Sequence, residues 1–469
     1  MLNGYEMTSL EAAATTANVS SDAIRIWRDA VPDASRDFAG DRQTFAEFWL
    51  KSRQLIESLP PKPKRSEAQA LVAEQVQRAA RQSREHFLQR HVEAVYAALT
   101  QNFSRFVRVE DLVRASADSF PGLVPSAQQI AAEADTLQGH KDGHEIDQGI
   151  FLAHVLGHER AGNHLVHAML LPRPGAREGL QRFQRDGVLD LGTARLERHG
   201  RAVHLISSNP RFLNAEDQTT IDNMETAVDV AVLDSASNIA VLRGTTVEHP
   251  KYAGRRLLGS GINLTHLYQG KIPFVWFIQR ELGFVHKFLR GVASPEVFPD
   301  DVHGTATEKP WVAAVEGFAI GGHCQILLTM DFVVAASDAF MTLPARKEGI
   351  IPGAANLRLP RFTGDRIARQ AIQYERRLDC SSPEGRLICD EIVPAAEMDA
   401  AIERVVSRLT SSGAVGAVAN RRAFRVIQEP IDAFRRYIAV YAREQAYCHF
   451  SPALIANLEQ YWNAQNRKG

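Results

Sequence analysis

Read by its apolar positions, the chain has two textures. Up to about residue 185 the apolar residues recur at helical spacing. Leu88, Val92, Val95 and Leu99 fall on one helix face, and Ser66 with Gln69 makes a capping-box pattern, so the spacing predicts one long helix over 66–101. Before it, an amphipathic helix-prone stretch ends on Leu59-Pro60-Pro61-Lys62-Pro63, a stiff linker. After it, helix continues to about residue 171, broken at Pro121 and Pro125. From about Asp190 short apolar runs replace the helical period. Runs 203–207 and 239–242 read as strands around a helix over 217–236, with a tight exit at Arg243-Gly244. That strand–helix–strand order predicts a parallel sheet with a right-handed crossover. A helix over 265–289 and a Pro/Gly loop to 307 follow, then strands at 311–315, 332–336 and 340–344, with an apolar helical segment at 324–330. Past Glu397 apolar helical repeats return. The predicted division is a helical domain over 1–185, an α/β core over 190–395 and a helical region over 396–469.

Composition narrows the partners. With 469 residues, 45% hydrophobic and 23% charged, the chain is an ordinary globular one of two or three domains. A formal charge of −1 provides no field for nucleic acid or an anionic membrane, so an anionic ligand needs local cations. No apolar run approaches the ~18 residues of a membrane span, and the N-terminus has no basic stretch followed by an apolar one, so a cytoplasmic protein is expected. Four cysteines without a CxxC read as reduced thiols. Histidines crowd between His140 and His167, and His154 with His158 has the spacing of a helical metal pair. Val155 stands where the HExxH pattern needs glutamate, so no metal site is expected.

The chemistry centres on 308–331, EKPWVAAVEGFAIGGHCQILLTMD. An apolar strand turns on Gly317, and Gly321-Gly322 opens a helix. This geometry presents backbone N–H groups where no Cβ stands in a ligand's way. As written, KPWVAAVEGFAIGGHCQ resembles the KPxIAAVNGxAxGGGxE motif of the crotonase (enoyl-CoA hydratase/isomerase) superfamily. Four further stretches resemble that family in order: Asn209-Pro210-Arg211 through Asn214-Ala215, then Gly259–Leu264, then 343–353 with Phe362-Thr363-Gly364, then Asp390–Pro394. The resemblance implies an α/β fold with a crotonase-like ββα spiral core, an N-terminal helical domain and C-terminal trimerisation helices. It also implies a homotrimer or a hexamer made of two trimers. The N–H groups of Ile262 and Gly322 would form an oxyanion hole for an acyl-CoA thioester. CoA would run past His249, Pro250, Lys251 and Tyr252, then Ser260, Gly261, Asn263, Leu264 and Thr265. The loop's His249, Lys251, Arg255 and Arg256 provide cations for its phosphates.

Two departures change the expected reaction. Hydratases of this family need one carboxylate to activate water and another to deliver a proton. The corresponding positions here are Gln325 and Ala345. The site keeps its means of stabilising an enolate and loses its water chemistry. Ala345, Ile350 and Ile262 would instead wall an apolar volume suited to dioxygen. These features resemble the superfamily's dioxygenases of arylacetyl-CoA thioesters, which work without metal or organic cofactor. That likeness implies that Glu216 and Arg280 face a resorcinol ring near Gln325. The base that removes the Cα proton is not readable. An isomerase or thioesterase of the same fold, and a non-catalytic acyl-CoA-binding scaffold, stay open as alternatives.

Overall fold

The computed structural model describes the chain apart from residues 1–3, 36, 253, 297–301, 305, 412–413 and 468–469, so part of the Pro/Gly loop before 307 lies outside the described residues. The long helix forms over Glu67–Leu99, one residue inside its predicted start, because Ser66 caps it. Ser66 Oγ accepts from the Gln69 N–H at 3.3 Å, and Gln69 Oε1 accepts from the Ser66 N–H at 3.0 Å. Its buried face, with Val72, Val76, Phe87 and Val95, packs on Phe38–Glu57, where Trp49 Nε1 donates to Ser83 Oγ at 2.8 Å. On its other side lies Ile146–Gly157, which packs in turn on the C-terminal helix Ile431–His449. Gly149 permits that approach: a Cβ there would stand 2.3 Å from the Ala446 Cβ. Apolar residues of all three sequence segments therefore join one continuous core.

A seven-stranded sheet runs in the order Val188–Asp190, Ala194–His199, Ala202–Ser207, Ile239–Gly244, Trp311–Val315, Phe332–Ala336, Glu391–Val393. The first three pair antiparallel and the remainder parallel. The crossover helix occupies Ile221–Leu233, a shorter span than the pattern predicts, since Asp217 is held in a turn by Thr219 and Thr220. The antiparallel hairpin before residue 200 was not read from the pattern. A smaller sheet orders Leu378–Asp379, Phe340–Thr342 and Phe318–Ile320. The helix expected over 265–289 is broken: Leu264–Tyr268 stops at Gly270, whose φ is +71°, and Phe274–Arg280 starts only after Pro273. It then passes through a wider turn over Glu281–Val285, with Gly283 at φ −86°, ψ −117°, before resuming as His286–Arg290. Among the described residues no helix is long and apolar enough to cross a membrane.

Candidate active site

The two glycine turns that the motifs single out come together. The segment through Gly259 runs parallel to Phe318–Ile320, with the Ile320 N–H donating to Gly259 O at 3.0 Å. On its other side the Glu216 N–H donates to Gly261 O at 2.7 Å, and the Asn263 N–H to Glu216 O at 2.8 Å. Gly261 has φ +80°, and a Cβ there would lie 3.1 Å from the Gly322 nitrogen, so the turns nearly touch. Gly321, at φ +54°, precedes the helix Gly322–Leu327. Among the described residues neither the Ile262 N–H nor the Gly322 N–H donates to another group.

One residue missed from the sequence, His323, fixes this arrangement. Its Nδ1 accepts from the Gly261 N–H at 3.1 Å, which requires the neutral ring, and burial lowers its pKa. The ring fills the space beside Gly259, where a Cβ would come within 2.3 Å of it. The signal was available, since His323 stands where the family motif has its third glycine.

Behind the turns, Arg280 gathers the remaining polar residues. Its Nε donates to Glu216 Oε2 at 3.0 Å, Nη1 to Glu281 Oε1 at 2.5 Å and to Gln325 Oε1 at 2.9 Å, and Nη2 to Gly322 O at 2.9 Å. Burial opposes its charge, but Glu216 and Glu281 outweigh that and raise the pKa. Glu216 Oε1 is buried without a hydrogen-bond partner. The Gln325 side-chain N–H groups likewise have none among the described residues.

These residues line a narrow inner cavity of about 30 Å³ that opens toward a larger cleft. Glu216, Arg280, Glu281 and Gln325 form its polar wall, while Ile262, Phe277, Ala345 and Ile350 lie in its apolar wall. Glu281 and Tyr441, also in its lining, carried no motif signal, whereas Glu348 lies inside the 343–353 motif, where the family pattern PExxLG has leucine.

An outer cleft of about 710 Å³ shares Ile262, Pro344 and Glu348 with the inner cavity. His249, Lys251, Tyr252, Ser260, Asn263, Leu264 and Thr265 line it; Pro250, which is exposed, and Gly261 do not. Two of the four loop cations are engaged elsewhere: Arg255 with Asp338 at 2.5 Å, and Arg256 with Gly244 O at 3.3 Å. Arg211, Lys347 and Arg467 line the cleft in addition. Arg211 lay inside a quoted motif; Arg467 reaches the cleft only because Pro452–Trp462 packs along it, which no local pattern shows.

The histidine cluster takes no part. His154 Nε2 meets Glu85 at 2.7 Å, His158 Nδ1 accepts from the Ala161 N–H, His164 meets the Tyr96 hydroxyl and Phe103 O, and His167 meets Ser294 O. Glu133, Asp142 and His144 could converge on a cation, but Arg65 holds both Asp142 oxygens. A cavity of about 330 Å³ beside them contains none of the motif residues.

Residues 291–432 match the family model described as enoyl-CoA hydratase/isomerase. The chain is 46% identical over 407 residues to the (3,5-dihydroxyphenyl)acetyl-CoA 1,2-dioxygenase of Amycolatopsis orientalis, covering 87% of this chain and 92% of that one. With that, the chain belongs to the enoyl-CoA hydratase/isomerase family, the crotonases. Within it the similarity to that dioxygenase, at 87% of this chain, is too long for the α/β core and C-terminal helices alone and so extends into the N-terminal helical region. The carnitinyl-CoA dehydratase of Escherichia coli (strain K12) is 25% identical over 245 residues, 52% of this chain and 84% of its own. Among solved structures, an enoyl-CoA hydratase from Mycobacterium avium subsp. paratuberculosis K-10 aligns with 57% of this chain and 98% of its own, at 20% identity and TM-score 0.46.

Proposed function

We propose that the protein converts (3,5-dihydroxyphenyl)acetyl-CoA and dioxygen into (3,5-dihydroxyphenyl)glyoxylate and free CoA. One observation carries the reading. The inner cavity is flanked by two free N–H groups, and the positions where a hydratase keeps its two carboxylates hold Gln325 and Ala345. CoA occupies the outer cleft, with His249 and Lys251 near its phosphates. The thioester oxygen lies between the Ile262 and Gly322 N–H groups, which stabilise the enolate. The aryl hydroxyls meet the unpartnered Glu216 Oε1 and the Gln325 amide, while Arg280 holds both residues in place. Dioxygen lies against Ala345 and Ile350.

Loss of a Cα proton gives an enolate delocalised into the electron-rich ring. It passes one electron to triplet dioxygen, and the radical pair combines at Cα. The distal peroxide oxygen attacks the thioester carbonyl and expels CoA. Cleavage of the O–O bond with loss of the second Cα proton leaves the α-keto acid. Cα supplies all four electrons, so the sequence requires no bound metal or organic cofactor. A CoA thioester substrate suits a cytoplasmic protein. Val415, Phe424 and Ile427, exposed on the helix Ala414–Gln428, support a trimer-based assembly. The test is oxygen uptake by chelator-treated protein given this thioester. Uptake equal to CoA release is expected; CoA release without uptake would indicate a thioesterase.

A further inference from the structure

The proposed reaction needs a base at Cα, and no residue at a family acid/base position is ionisable. The structure offers another. Glu348 closes the short helix Ala345–Glu348, on the turn that begins at Ala345. It is buried, at 8% exposure, and lies where the outer cleft meets the inner cavity, together with Ile262 and Pro344. In the proposed reaction a thioester held by the Ile262 and Gly322 N–H groups brings its Cα to this junction, since Ile262 lines both spaces. Among the described residues the Glu348 carboxylate makes no hydrogen bond and no ion pair.

The surrounding charges are otherwise engaged. In the inner cavity Glu216, Arg280 and Glu281 bind one another. In the cleft Lys347 pairs with Glu375, and Arg467 lies over Trp462 with its Nε bonded to Trp462 O. Arg211, His249, Lys251, Tyr252 and Tyr461 are the remaining charged or titratable groups lining the cleft, and Tyr441, whose pKa burial raises, lines the inner cavity. A buried carboxylate without a partner is costly, so its presence in a reaction cavity calls for a use.

Resting on the proposed reaction, we infer that Glu348 is the general base that takes the Cα proton. The Cα–H bond breaks, its electron pair enters the enolate held by the two N–H groups, and the proton goes to a Glu348 oxygen. When the peroxide expels CoA, that proton passes to the leaving thiolate. The second Cα proton goes to solvent as the O–O bond cleaves, so substrate and dioxygen account for every atom of product. Burial raises the Glu348 pKa to about 7, which matches a base working near neutrality.

The experiment separates proton removal from oxygen chemistry. Wild type, Glu348→Gln and Glu348→Asp are incubated without oxygen with (3,5-dihydroxyphenyl)acetyl-CoA in D2O, and Cα exchange is followed by NMR. Oxygen uptake is then measured across pH 5–9. Glu348→Gln should exchange and consume oxygen at least ~100-fold more slowly, a size typical of a lost general base. Its anaerobic affinity should stay within about threefold, since the N–H donors and ring contacts are intact. Glu348→Asp should recover part of both rates. The wild-type rate should rise with pH through about 7, and that limb should vanish in Glu348→Gln. A folded Glu348→Gln that exchanges and consumes oxygen like wild type overturns the inference and leaves the proposed function standing. A wild type that exchanges Cα hydrogens but consumes no oxygen overturns the proposed function instead. In that case loss of exchange in Glu348→Gln still supports the base.

Discussion

Lys287 and Arg280 lie on one stretch of chain, both buried, each between two carboxylates. Around Lys287 the ammonium and the oxygens of both carboxylates are matched, although Arg108 Nη1 at the cluster's edge has no partner. Its Nζ meets Glu225 at 2.8 Å, Asp229 at 2.6 Å and Leu171 O at 2.9 Å. The other carboxylate oxygens accept from Arg108, Arg173 and the Arg173 N–H. Around Arg280 the matching is incomplete: Glu216 Oε1 has no partner, and the cavity beyond it ends on an unpaired Glu348. Closed charge clusters hold a fold together, while open ones wait for a ligand. The wide turn over Glu281–Val285 separates the two clusters.

The largest expected effect breaks the closed cluster. Lys287→Met leaves Asp229 buried with a single N–H donor and should cost about 3–5 kcal/mol of stability, read by chemical denaturation. An equally large loss from Glu216→Gln, which keeps the shape, would erase the contrast. Next is Gly322→Ala, whose Cβ would come within 2.1 Å of Glu216 Oε2 and 2.8 Å of the Arg280 guanidinium. By misaligning the Gly322 N–H it should lower kcat by about 10²–10³-fold with the fold kept. Near-normal turnover would show the oxyanion hole to be elsewhere.

Glu216→Gln should raise KM about tenfold or more, because a hydrogen bond to a charged group weakens, and should have little effect on a phenylacetyl-CoA lacking ring hydroxyls. Ala345→Glu tests the apolar wall: it fills the space beside Ile350, so oxygen uptake should fall more than tenfold while anaerobic Cα exchange continues. Equal loss of both would make Ala345 a packing residue. The smallest effect is on stability. The folded Glu348 pKa of about 7 exceeds the ordinary 4.5, so the unfolded chain releases this proton first and stability falls as pH rises between those values. Glu348→Gln should therefore raise Tm by at least about 2 °C at pH 8 and leave it unchanged at pH 4.

Local signals carried much of this architecture. The Trp311–Val315 strand, the Gly317 turn and the Ser66 cap could be read directly, since each depends on neighbours in sequence. The pairing of Ile262 with Gly322 came from the resemblance of their two segments to the family's motifs, which no local pattern supplies. Gly270 and Pro273 mark the break after residue 264, but the apolar period continues across them and imitates one unbroken helix. Glu348 had a local mark, since it stands where the family pattern PExxLG has leucine, but its burial is not a local property. In sequence it sits beside Arg346 and Lys347 and reads as a solvated charge; in the fold its short helix packs on Pro452–Trp462, and Glu348 shares a cavity with Ile262 and Tyr441.

The central claim is that both atoms of one dioxygen enter the product through the enolate. It is tested most directly by turnover of (3,5-dihydroxyphenyl)acetyl-CoA under ¹⁸O₂ in ordinary water, with mass analysis of the α-keto acid formed. One labelled atom at the ketone and one in the carboxylate of the same molecule is the expected result. A carboxylate whose new oxygen comes from water would mean hydrolysis of the thioester, and would contradict it.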